Sequence, residues 1–179
     1  MISDVDKKLC LQIAKDSIAF ELNLIEEIPP MPQSSIFAES FGLFVSSYHN
    51  KNLRGCIGYI KPFKPLYESI IEIAQLAAFH DDRFRPLSIA EFEKLIIEIS
   101  ILSTLFEIKD KDEFEIGRDG LFITNPRGIG LLLPQVATKH NWTKSTFLKE
   151  TCKKAGLKES DLYDERTKVY RFEATIFQS

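Results

Sequence analysis

Cysteine is scarce in this sequence, and nothing in its composition marks an unusual class of protein. Only three cysteines occur among 179 residues, an odd number at unrelated spacings. This count argues against a disulfide framework and predicts reduced thiols in a cytoplasm-like compartment. Hydrophobic residues form 44% of the chain and charged residues 27%, which is close to average globular usage. A disordered tail, a collagen-like rod and a disulfide-stapled miniprotein are therefore excluded.

Long apolar runs and an excess of one charge are also missing. The longest apolar segment, residues 70–79, is broken by a glutamate and a glutamine, whereas a membrane-spanning helix needs roughly 18 uninterrupted apolar residues. Charged residues within the first ten positions leave no apolar core for a signal peptide. The formal net charge of −3 gives no overall attraction to nucleic acid or to an anionic membrane, although it allows a local basic patch. We therefore expect a soluble cytoplasmic protein that does not bind membranes.

Apolar residues at helical spacing predict four helices, over residues 3–24, 66–78, 88–92 and 143–155. Ser3 with Asp6 resembles a capping box at the first helix, which three prolines then terminate. The second helix carries a wide apolar stripe, typical of a helix that packs on a sheet, and Pro65 suits its first turn. Ser88 suits the cap of the third helix, and Gly156 suits the position just after the fourth.

Alternating apolar residues and β-rich runs predict strands at residues 43–48, 53–60, 95–101, 120–123, 127–130 and 170–176. The segment GLFI at 120–123 echoes GLFV at 42–45, and RGIG at 127–130 echoes RGCIG at 54–58 with one residue missing. Each half of the chain therefore follows the order hairpin, helix, strand, which suggests a duplicated unit. Two such units joined by strand pairing predict an α+β protein with a largely antiparallel sheet and helices packed on it.

The segment LRGCIG at residues 53–58 holds the strongest candidates for chemistry. On a regular strand, Arg54 and Cys56 point to the same face, roughly 7 Å apart at the backbone. The positive charge of Arg54 would favour the Cys56 thiolate and raise its reactivity. Gly55 and Gly58 leave room for another backbone or a ligand to approach. The alternative is that Cys56 only packs in a tight strand crossing while Arg54 pairs with a surface carboxylate.

The LRGCIG segment matches, residue for residue, the hallmark hexapeptide of the AMMECR-one domain family. Further matches follow in the same order, so that the resemblance covers about residues 5–178. They include Asp81, Arg83-Phe84, Trp142, the run LLLPQV at 131–136 and the segment 151–157. The sequence is therefore identified as a member of this family, with residues 1–179 forming a single domain of that kind.

Several expectations follow from the resemblance alone. It implies an α+β fold with two unequal, interleaved subdomains that meet at a cleft near residues 53–58. Microbial members look like protein A of the AmmeMemoRadiSam system, which implies Memo-like and radical S-adenosylmethionine proteins as partners. The resemblance does not fix one activity, because both an enzymatic role and a regulatory role in transcription, replication or translation are suggested for the family. It implies no cofactor.

Three residues outside the hexapeptide are further candidates for binding a ligand. Asp81 and Arg83 match the family and follow a buried helix, where they would either contact a ligand or only organise the loop. Gln135 follows an apolar strand, and its amide would either bond into the cleft or satisfy loop backbone. No metal site is expected, because the adjacent residues 80–82 cannot all turn toward one ion. Histidine is not carried over as a catalytic base, since His80 stands where the family commonly has another residue.

Two functional hypotheses remain, together with a structural alternative in which the hexapeptide only closes a strand crossing. In the first, the cleft binds a small ligand, a peptide, a partner protein or, less in keeping with the net charge, a nucleic acid through Arg54, Gly55, Gly58, Asp81, Arg83 and Gln135. In the second, Cys56 is a catalytic nucleophile or thiol ligand of an enzyme or enzyme subunit. Thiol catalysis usually needs a positioned base, and none is evident in the sequence. We therefore favour binding.

Overall fold

The computed structural model describes residues 2–179, which fold into two compact units. Unit 1 comprises residues 2–101 and 175–179, and unit 2 comprises residues 102–174. Each unit contains a β-hairpin followed by helices and a later strand. This arrangement confirms the predicted α+β class. Among residues 2–179, no helix is both long enough and apolar enough to cross a membrane.

Unit 1 contains three helices and three strands, and the end of a fourth strand. Its elements are α1 (Asp4–Glu21), β1 (Gly42–His49), β2 (Asn52–Tyr59), α2 (Leu66–Phe79), α3 (Ile89–Phe92) and β3 (Ile96–Leu102). Strand β1 lies between β2 and β3, and its pairing with β2 is antiparallel. Strand β2 is consequently the edge of the sheet in this unit.

The core of unit 1 forms where α1 and α2 pack on one face of this sheet. Alternate residues of β1 and β3 supply the sheet side, and the apolar stripe of α2 supplies much of the helix side, as its spacing predicts. The fully buried members include Leu43, Val45, Ile97, Ile99, Ile70 and Ile73. The intervening residues of the strands therefore point to the opposite face, where the polar groups of the candidate site lie.

In unit 1 the caps at Ser3 and Ser88 form as predicted, whereas the end of α1 and the position of Pro65 differ from the prediction. The Ser3 side chain accepts the Asp6 backbone N–H, which confirms the first cap, and Ser88 forms the predicted cap of α3. The prediction that α1 continues to Leu24 is wrong, because the helix ends at Glu21 and Asn23 adopts a left-handed backbone with φ of 56°. Pro65 is the residue before α2 rather than part of its first turn.

Unit 2 contains a second hairpin and the longest strand of the chain. Its elements are β4 (Phe106–Ile108), β5 (Asp119–Asn125), β6 (Gly128–Leu132), α4 (Pro134–Lys139), α5 (Lys144–Lys154) and β7 (Lys168–Gln178), the end of which belongs to unit 1. Strand β5 pairs with β6 and with β7, β4 pairs with β7, and all three pairings are antiparallel. Helix α5 begins after a Thr143 cap and is followed by Gly156 at φ of 71°, as predicted.

One short strand and one short α-helix of unit 2 are absent from the sequence prediction. Strand β4 has only three residues, too few for an alternating pattern to be visible. Helix α4 has six residues and follows β6 directly, with Pro134 and Gln135 in its first turn. Proline suits the first helical position because it lacks the N–H that would have no partner there.

The two hairpins repeat a close contact between a glycine and a helix. A Cβ atom on Gly55 would clash with the carbonyl oxygen of Ala77, near the end of α2. A Cβ atom on Gly128 would clash in the same way with the carbonyl oxygen of Ala155, just after α5. In each unit, therefore, the second strand of the hairpin lies so close to the end of the long helix after it that only glycine fits at the contact. This shared contact supports the duplicated unit suggested by the sequence.

Candidate functional site

The register of the first hairpin is interrupted within the hexapeptide. Gly55 lies opposite Ser47, but Leu53 lies opposite Tyr48, so Arg54 is an additional residue on β2 without a partner on β1. A bulge of this kind shifts the alternation of side chains along the strand. The strand is therefore irregular at Arg54, and the expectation that Arg54 and Cys56 share one face stays a prediction.

Arg54 is held by groups that follow α2. Its Nε donates to Glu91 Oε1 at 2.9 Å, and its Nη2 donates to the carbonyl oxygen of Pro86 at 3.2 Å. Both charged side chains are largely buried, with exposed fractions of 11% and 14%. The Arg54 hydrogen bond is the main cause that lowers the pKa of Glu91 to about 2. Arg54 thus forms an ion pair with a carboxylate, as in the alternative considered for it.

The repeat in unit 2 indicates what this ion pair does. Arg127 precedes Gly128 as Arg54 precedes Gly55, and its Nη2 lies 2.7 Å from a carboxylate oxygen of Asp161. Glu91 and Asp161 both occupy the third position of a short helix that follows the long helix of their unit, α3 in unit 1 and a 3-10 helix at Glu159–Tyr163 in unit 2. The pairing of Arg54 therefore belongs to the architecture that the two units share.

Cys56 lies on β2, the edge strand, and its backbone N–H and C=O point away from β1, toward the side where no further strand of residues 2–179 follows. Its N–H donates to Asp81 Oδ2 at 2.9 Å, and its carbonyl oxygen accepts Arg83 Nη2 at 3.2 Å. The two side chains therefore satisfy both backbone groups of Cys56, as a neighbouring strand would. The structure brings together Cys56, Asp81 and Arg83, three of the residues predicted for the site.

Asp81 fixes the position of Arg83 through a buried carboxylate. The Asp81 side chain is only 4% exposed, whereas that of Arg83 is 54% exposed. Arg83 donates to Asp81 from Nε at 2.9 Å and from Nη2 at 2.6 Å. These hydrogen bonds are the main cause that holds the pKa of Asp81 well below its usual range. Asp81 is consequently ionised at neutral pH, and Arg83 presents a fixed positive charge to solvent.

The thiol of Cys56 belongs to a line of polar side chains on the face of the sheet opposite α2. Ser46 lies directly across from Cys56 on β1, and its hydroxyl donates to Cys56 Sγ at 3.2 Å. Tyr48, two residues further along β1, donates from its hydroxyl to Glu98 Oε1 on β3 at 3.4 Å. We call Glu98, Tyr48, Ser46 and Cys56 the polar row. Burial, together with the charge of Glu98, raises the pKa of Tyr48, which therefore stays protonated at neutral pH.

The three cysteines differ in their surroundings. Cys56 is partly exposed, whereas Cys10 and Cys152 have no exposed surface. Burial raises the pKa of Cys10 to about 12 and also raises that of Cys152. Cys10 and Cys152 therefore belong to the cores of their units, and Cys56 is the cysteine that is open to reagents in the folded protein.

The two glycines of the hexapeptide make room for protein atoms. Gly55 admits the end of α2, as described above. A Cβ atom on Gly58 would clash with the ring of Phe44, its partner across the hairpin, and with the carbonyl oxygen of Leu43. Both glycines therefore allow close packing on the strand or helix beside them.

Gln135 lies in unit 2, in the first turn of α4. Its side-chain Oε1 is buried and has no hydrogen-bond partner among residues 2–179. A buried acceptor without a partner is uncommon in folded proteins. The role of Gln135 in binding a ligand stays a prediction.

Ser46, Tyr48, Glu98 and Glu91 are the residues of the site that the sequence-based interpretation missed. Glu98 lies between two isoleucines on a predicted strand, which assigns it to the face away from the core, whereas Ser46 and Tyr48 lie in a segment without alternation. What was not known is the strand order, which places β1 between β2 and β3. Glu91 was predicted only as a residue of the third helix.

Groups of three or more histidine, cysteine or acidic side chains that would hold a metal ion were not found anywhere in residues 2–179. His80, Asp81 and Asp82 do not form such a group. The Asp81 carboxylate instead accepts hydrogen bonds from the backbone N–H of Cys56 and the Nε–H of Arg83.

The fold and the site define an α+β protein with the LRGCIG segment on the edge strand of a hairpin. The profile of the AMMECR1 family matches residues 11–177, and the chain belongs to this family, which confirms the assignment based on the hexapeptide. The chain is 40% identical to a protein from Methanothermobacter thermautotrophicus over 162 residues, which are 87% of this chain and 82% of that protein. It is also 40% identical to protein Ta0236 from Thermoplasma acidophilum over 159 residues, 85% of this chain and 77% of the relative.

A solved structure of the same family has a closely similar fold. The crystal structure of protein PH0010 from Pyrococcus horikoshii matches with a TM-score of 0.91 and 34% sequence identity. The match covers 99% of this chain and 93% of that one.

Proposed function

We propose that this protein binds a ligand bearing an acidic group, a carboxylate or a phosphate, at the outer edge of β2. Arg83 is the group that contacts the acid, and the Cys56 side chain lies beside it. The observation that carries the proposal is the pairing of an exposed guanidinium with a buried carboxylate, since Arg83 is 54% exposed while Asp81 is 4% exposed. The ligand is a small molecule or the acidic residue of a peptide.

The geometry of Arg83 favours this function over a purely structural role. A guanidinium carries five N–H donors in a rigid fork. The hydrogen bonds of Arg83 to Asp81 and Cys56 use Nε and Nη2, and none from Nη1 is found among residues 2–179. Its two Nη1 donors therefore remain for a ligand. Because the orientation is already fixed, little side-chain entropy is lost when an anion binds.

The nearby carboxylates leave the free Nη1 donors of Arg83 available to a ligand. The carboxylate of Asp81 points inward, and that of Glu91 is paired with Arg54. Arg85 follows two residues later with an 81% exposed side chain, and its Nη2 lies 3.8 Å from Glu91 Oε1. Arg85 therefore adds positive charge near this edge, while Arg83 is the arginine that Asp81 orients toward a ligand. Electrostatic attraction of this kind weakens as salt is added.

The experiment is a titration with two defined probes, inorganic pyrophosphate for phosphates and citrate for carboxylates. The melting temperature of the protein is followed by differential scanning fluorimetry at low ionic strength. The wild-type protein is expected to be stabilised by at least one probe in a saturable manner, because a ligand that binds only the folded state raises its stability. Arg83→Gln is expected to abolish this stabilisation.

Arg85→Gln is the matched control, since it removes the same charge from a neighbouring residue that Asp81 does not hold. It should keep saturable binding with at most a modest loss of affinity. An equal loss in both variants would mean that only the general positive charge matters, and the assignment of Arg83 would then fail. The same conclusion follows if neither probe stabilises the wild-type protein.

A thiol-dependent activity is the second candidate function. The observation that favours it is the hydrogen bond from Ser46 to Cys56 Sγ, because a donor of this kind stabilises a thiolate. In this case the protein acts as an enzyme or enzyme subunit, with Memo-like and radical S-adenosylmethionine proteins as partners by family resemblance. Size-exclusion chromatography of the chain mixed with those two proteins tests the partnership. A complex that survives Cys56→Ser but not Arg83→Gln would favour the binding function instead.

A further inference from the structure

We infer that the polar row is a proton path which makes Cys56 a nucleophile toward an electrophilic carbon. The cluster of Glu98, Tyr48, Ser46 and Cys56 in unit 1 carries this inference. It goes beyond the binding of an acidic ligand and does not depend on it, because Arg83 is not part of the row.

The row crosses three adjacent strands. Cys56 on β2 and Ser46 on β1 are direct cross-strand partners, with 3.2 Å between Ser46 Oγ and Cys56 Sγ. Tyr48 lies on the same face of β1 because strand residues two apart share a face. Its hydroxyl is 3.4 Å from Glu98 Oε1 on β3. The four side chains therefore lead from the edge strand, through β1, to a carboxylate.

Ser46 is the residue that can change partner along this path. A hydroxyl has one donor, which rotates, and two acceptor lone pairs. When Cys56 is a thiolate, the Ser46 hydroxyl donates to Sγ, as its position shows. When Cys56 is a thiol, its S–H donates to Ser46 Oγ, and the Ser46 hydroxyl is then free to rotate toward Tyr48, its neighbour on the same face of β1. Rotation of one hydroxyl thus connects the two protonation states.

Tyr48 and Glu98 complete the path. Burial and the Glu98 charge keep Tyr48 protonated, so Tyr48 passes a proton on rather than holding a charge. The Tyr48 hydroxyl donates to Glu98, which accepts the proton at the end of the row. Glu98 is therefore the base that was not evident in the sequence, and it acts on Cys56 through two hydroxyl groups rather than by direct contact.

In the chemical step, the sulfur of Cys56 attacks carbon. The S–H proton moves toward Glu98 along the row, an S–C bond forms, and the bond from that carbon to its leaving group breaks. The leaving group departs with the electron pair. No oxidant or reductant takes part.

The second unit shows that the fold alone does not require this row. Asn125 pairs with Gly128 in the second hairpin as Ser47 pairs with Gly55 in the first, and the glycine contacts described above are the same. The residue after Gly128 is Ile129, so an isoleucine occupies the position that Cys56 has in unit 1. The shared architecture is therefore formed without a thiol at this place.

The test measures how fast Cys56 of the intact protein reacts with iodoacetamide at neutral pH, by mass spectrometry of the labelled peptide. In this reaction the sulfur bonds to the methylene carbon and iodide leaves. Ser46→Ala is expected to slow alkylation about tenfold, because it removes a hydrogen bond to a charged sulfur. Ser46→Thr keeps a hydroxyl and should restore the rate to within about twofold of wild type. Tyr48→Phe and Glu98→Gln should each slow it several-fold.

Ser47→Ala is the matched control. Ser47 is the next residue on β1, and its buried hydroxyl has no partner in residues 2–179 and belongs to the opposite face. This variant should leave the alkylation rate unchanged. Circular dichroism and melting temperature verify that every variant is folded, and any variant that does not fold is replaced by the conservative one, Ser46→Thr or Glu98→Asp.

Three results would overturn the inference. One is an unchanged rate in Ser46→Ala, and another is a Ser46→Thr variant as slow as Ser46→Ala. The third is faster alkylation in Glu98→Gln, which would show that Glu98 acts only as a like charge near the sulfur. The proposed binding function is judged separately, because Ser46→Ala should still bind the anionic probes that Arg83→Gln no longer binds.

Discussion

The carboxylate of Asp81 takes the place of a neighbouring strand for Cys56. Its Oδ2 accepts the Cys56 backbone N–H at 2.9 Å, and the carboxylate also orients Arg83, whose guanidinium donates to the Cys56 carbonyl oxygen. An unpaired edge strand is prone to pairing with other chains. In this protein the side chains of Asp81 and Arg83 form hydrogen bonds with both backbone groups of Cys56, and the Arg83 guanidinium stays exposed beside them.

Replacing Asp81 tests this arrangement. Asp81→Asn removes the charge that holds Arg83 and weakens the bond from the Cys56 N–H. We expect the free energy of unfolding to fall by about 2–3 kcal/mol, since the buried Asp81 side chain loses the charge that strengthens its hydrogen bonds. Urea denaturation followed by circular dichroism measures this change. Asp82→Asn is the control, because Asp82 is the exposed neighbour, and its effect should stay within about 0.5 kcal/mol.

The acid stability of the protein provides a second test. Hydrogen bonds from Arg83 lower the pKa of Asp81, and those from Arg54 lower the pKa of Glu91 from 4.5 to about 2. When a carboxyl pKa is lower in the folded state, its contribution to stability is complete above the unfolded-state pKa and is lost as pH falls through the folded-state value. The free energy of unfolding should therefore decline below about pH 4.5.

Variants identify the groups responsible for this decline. In Glu91→Gln, the loss of stability on acidification should be smaller than in the wild-type protein, because one titrating group has been removed. The measurement is the midpoint of urea unfolding at a series of pH values. If Glu91→Gln and wild type lose stability in parallel, Glu91 is not a source of the acid sensitivity.

The glycine contact predicts a large effect from a small substitution. Gly55→Ala places a Cβ atom against the Ala77 carbonyl oxygen, which is backbone and cannot rotate away. We expect a loss of about 3 kcal/mol or more in the free energy of unfolding, because overpacking displaces a strand from a helix. Gly156→Ala distinguishes a steric clash from backbone strain. Its Cβ would meet no atom within 4 Å, but its φ of +71° is unfavourable for alanine. That variant should cost about 1 kcal/mol. Equal costs in calorimetric melting would contradict the steric explanation.

The exposure of the cysteines predicts selective labelling. In the native protein, iodoacetamide should modify Cys56 well before Cys10 or Cys152, because the latter two have no exposed surface and raised pKa values. Intact-mass spectrometry should show one addition under native conditions and three in denaturant. A Cys56→Ser variant should gain no early addition. Early labelling of either buried cysteine would contradict the packing described for it.

Much of the fold could be predicted from the sequence, because each long element has a clear period. The stripe of α2 and the caps at Ser3 and Ser88 depend only on nearby residues, and they formed as expected. The short helix α4 and the bulge at Arg54 could not be predicted. A six-residue helix shows too little periodicity, and a bulge depends on the register between two strands.

The candidate site could be predicted only in part, because local motifs are visible in the sequence and contacts between strands are not. Its residues that belong to one motif, such as Cys56, are visible in the sequence. The contacts among Ser46, Tyr48 and Glu98 depend on which strands are neighbours, and that order is a property of the whole unit. Glu91, the partner of Arg54, lies 37 residues later in the chain, so no local pattern indicates that the two side chains pair.

The most direct test of the central claim is a nuclear magnetic resonance titration of nitrogen-15-labelled protein with pyrophosphate and, separately, citrate. If Arg83 is the group that binds the acid, its Nε resonance and the Cys56 backbone amide should shift together and saturate with at least one probe. The Nε resonance of Arg54, which is engaged by Glu91, should move little. Shifts that are confined to other parts of the chain, while the Arg83 and Cys56 signals stay unchanged at high probe concentration, would contradict the account.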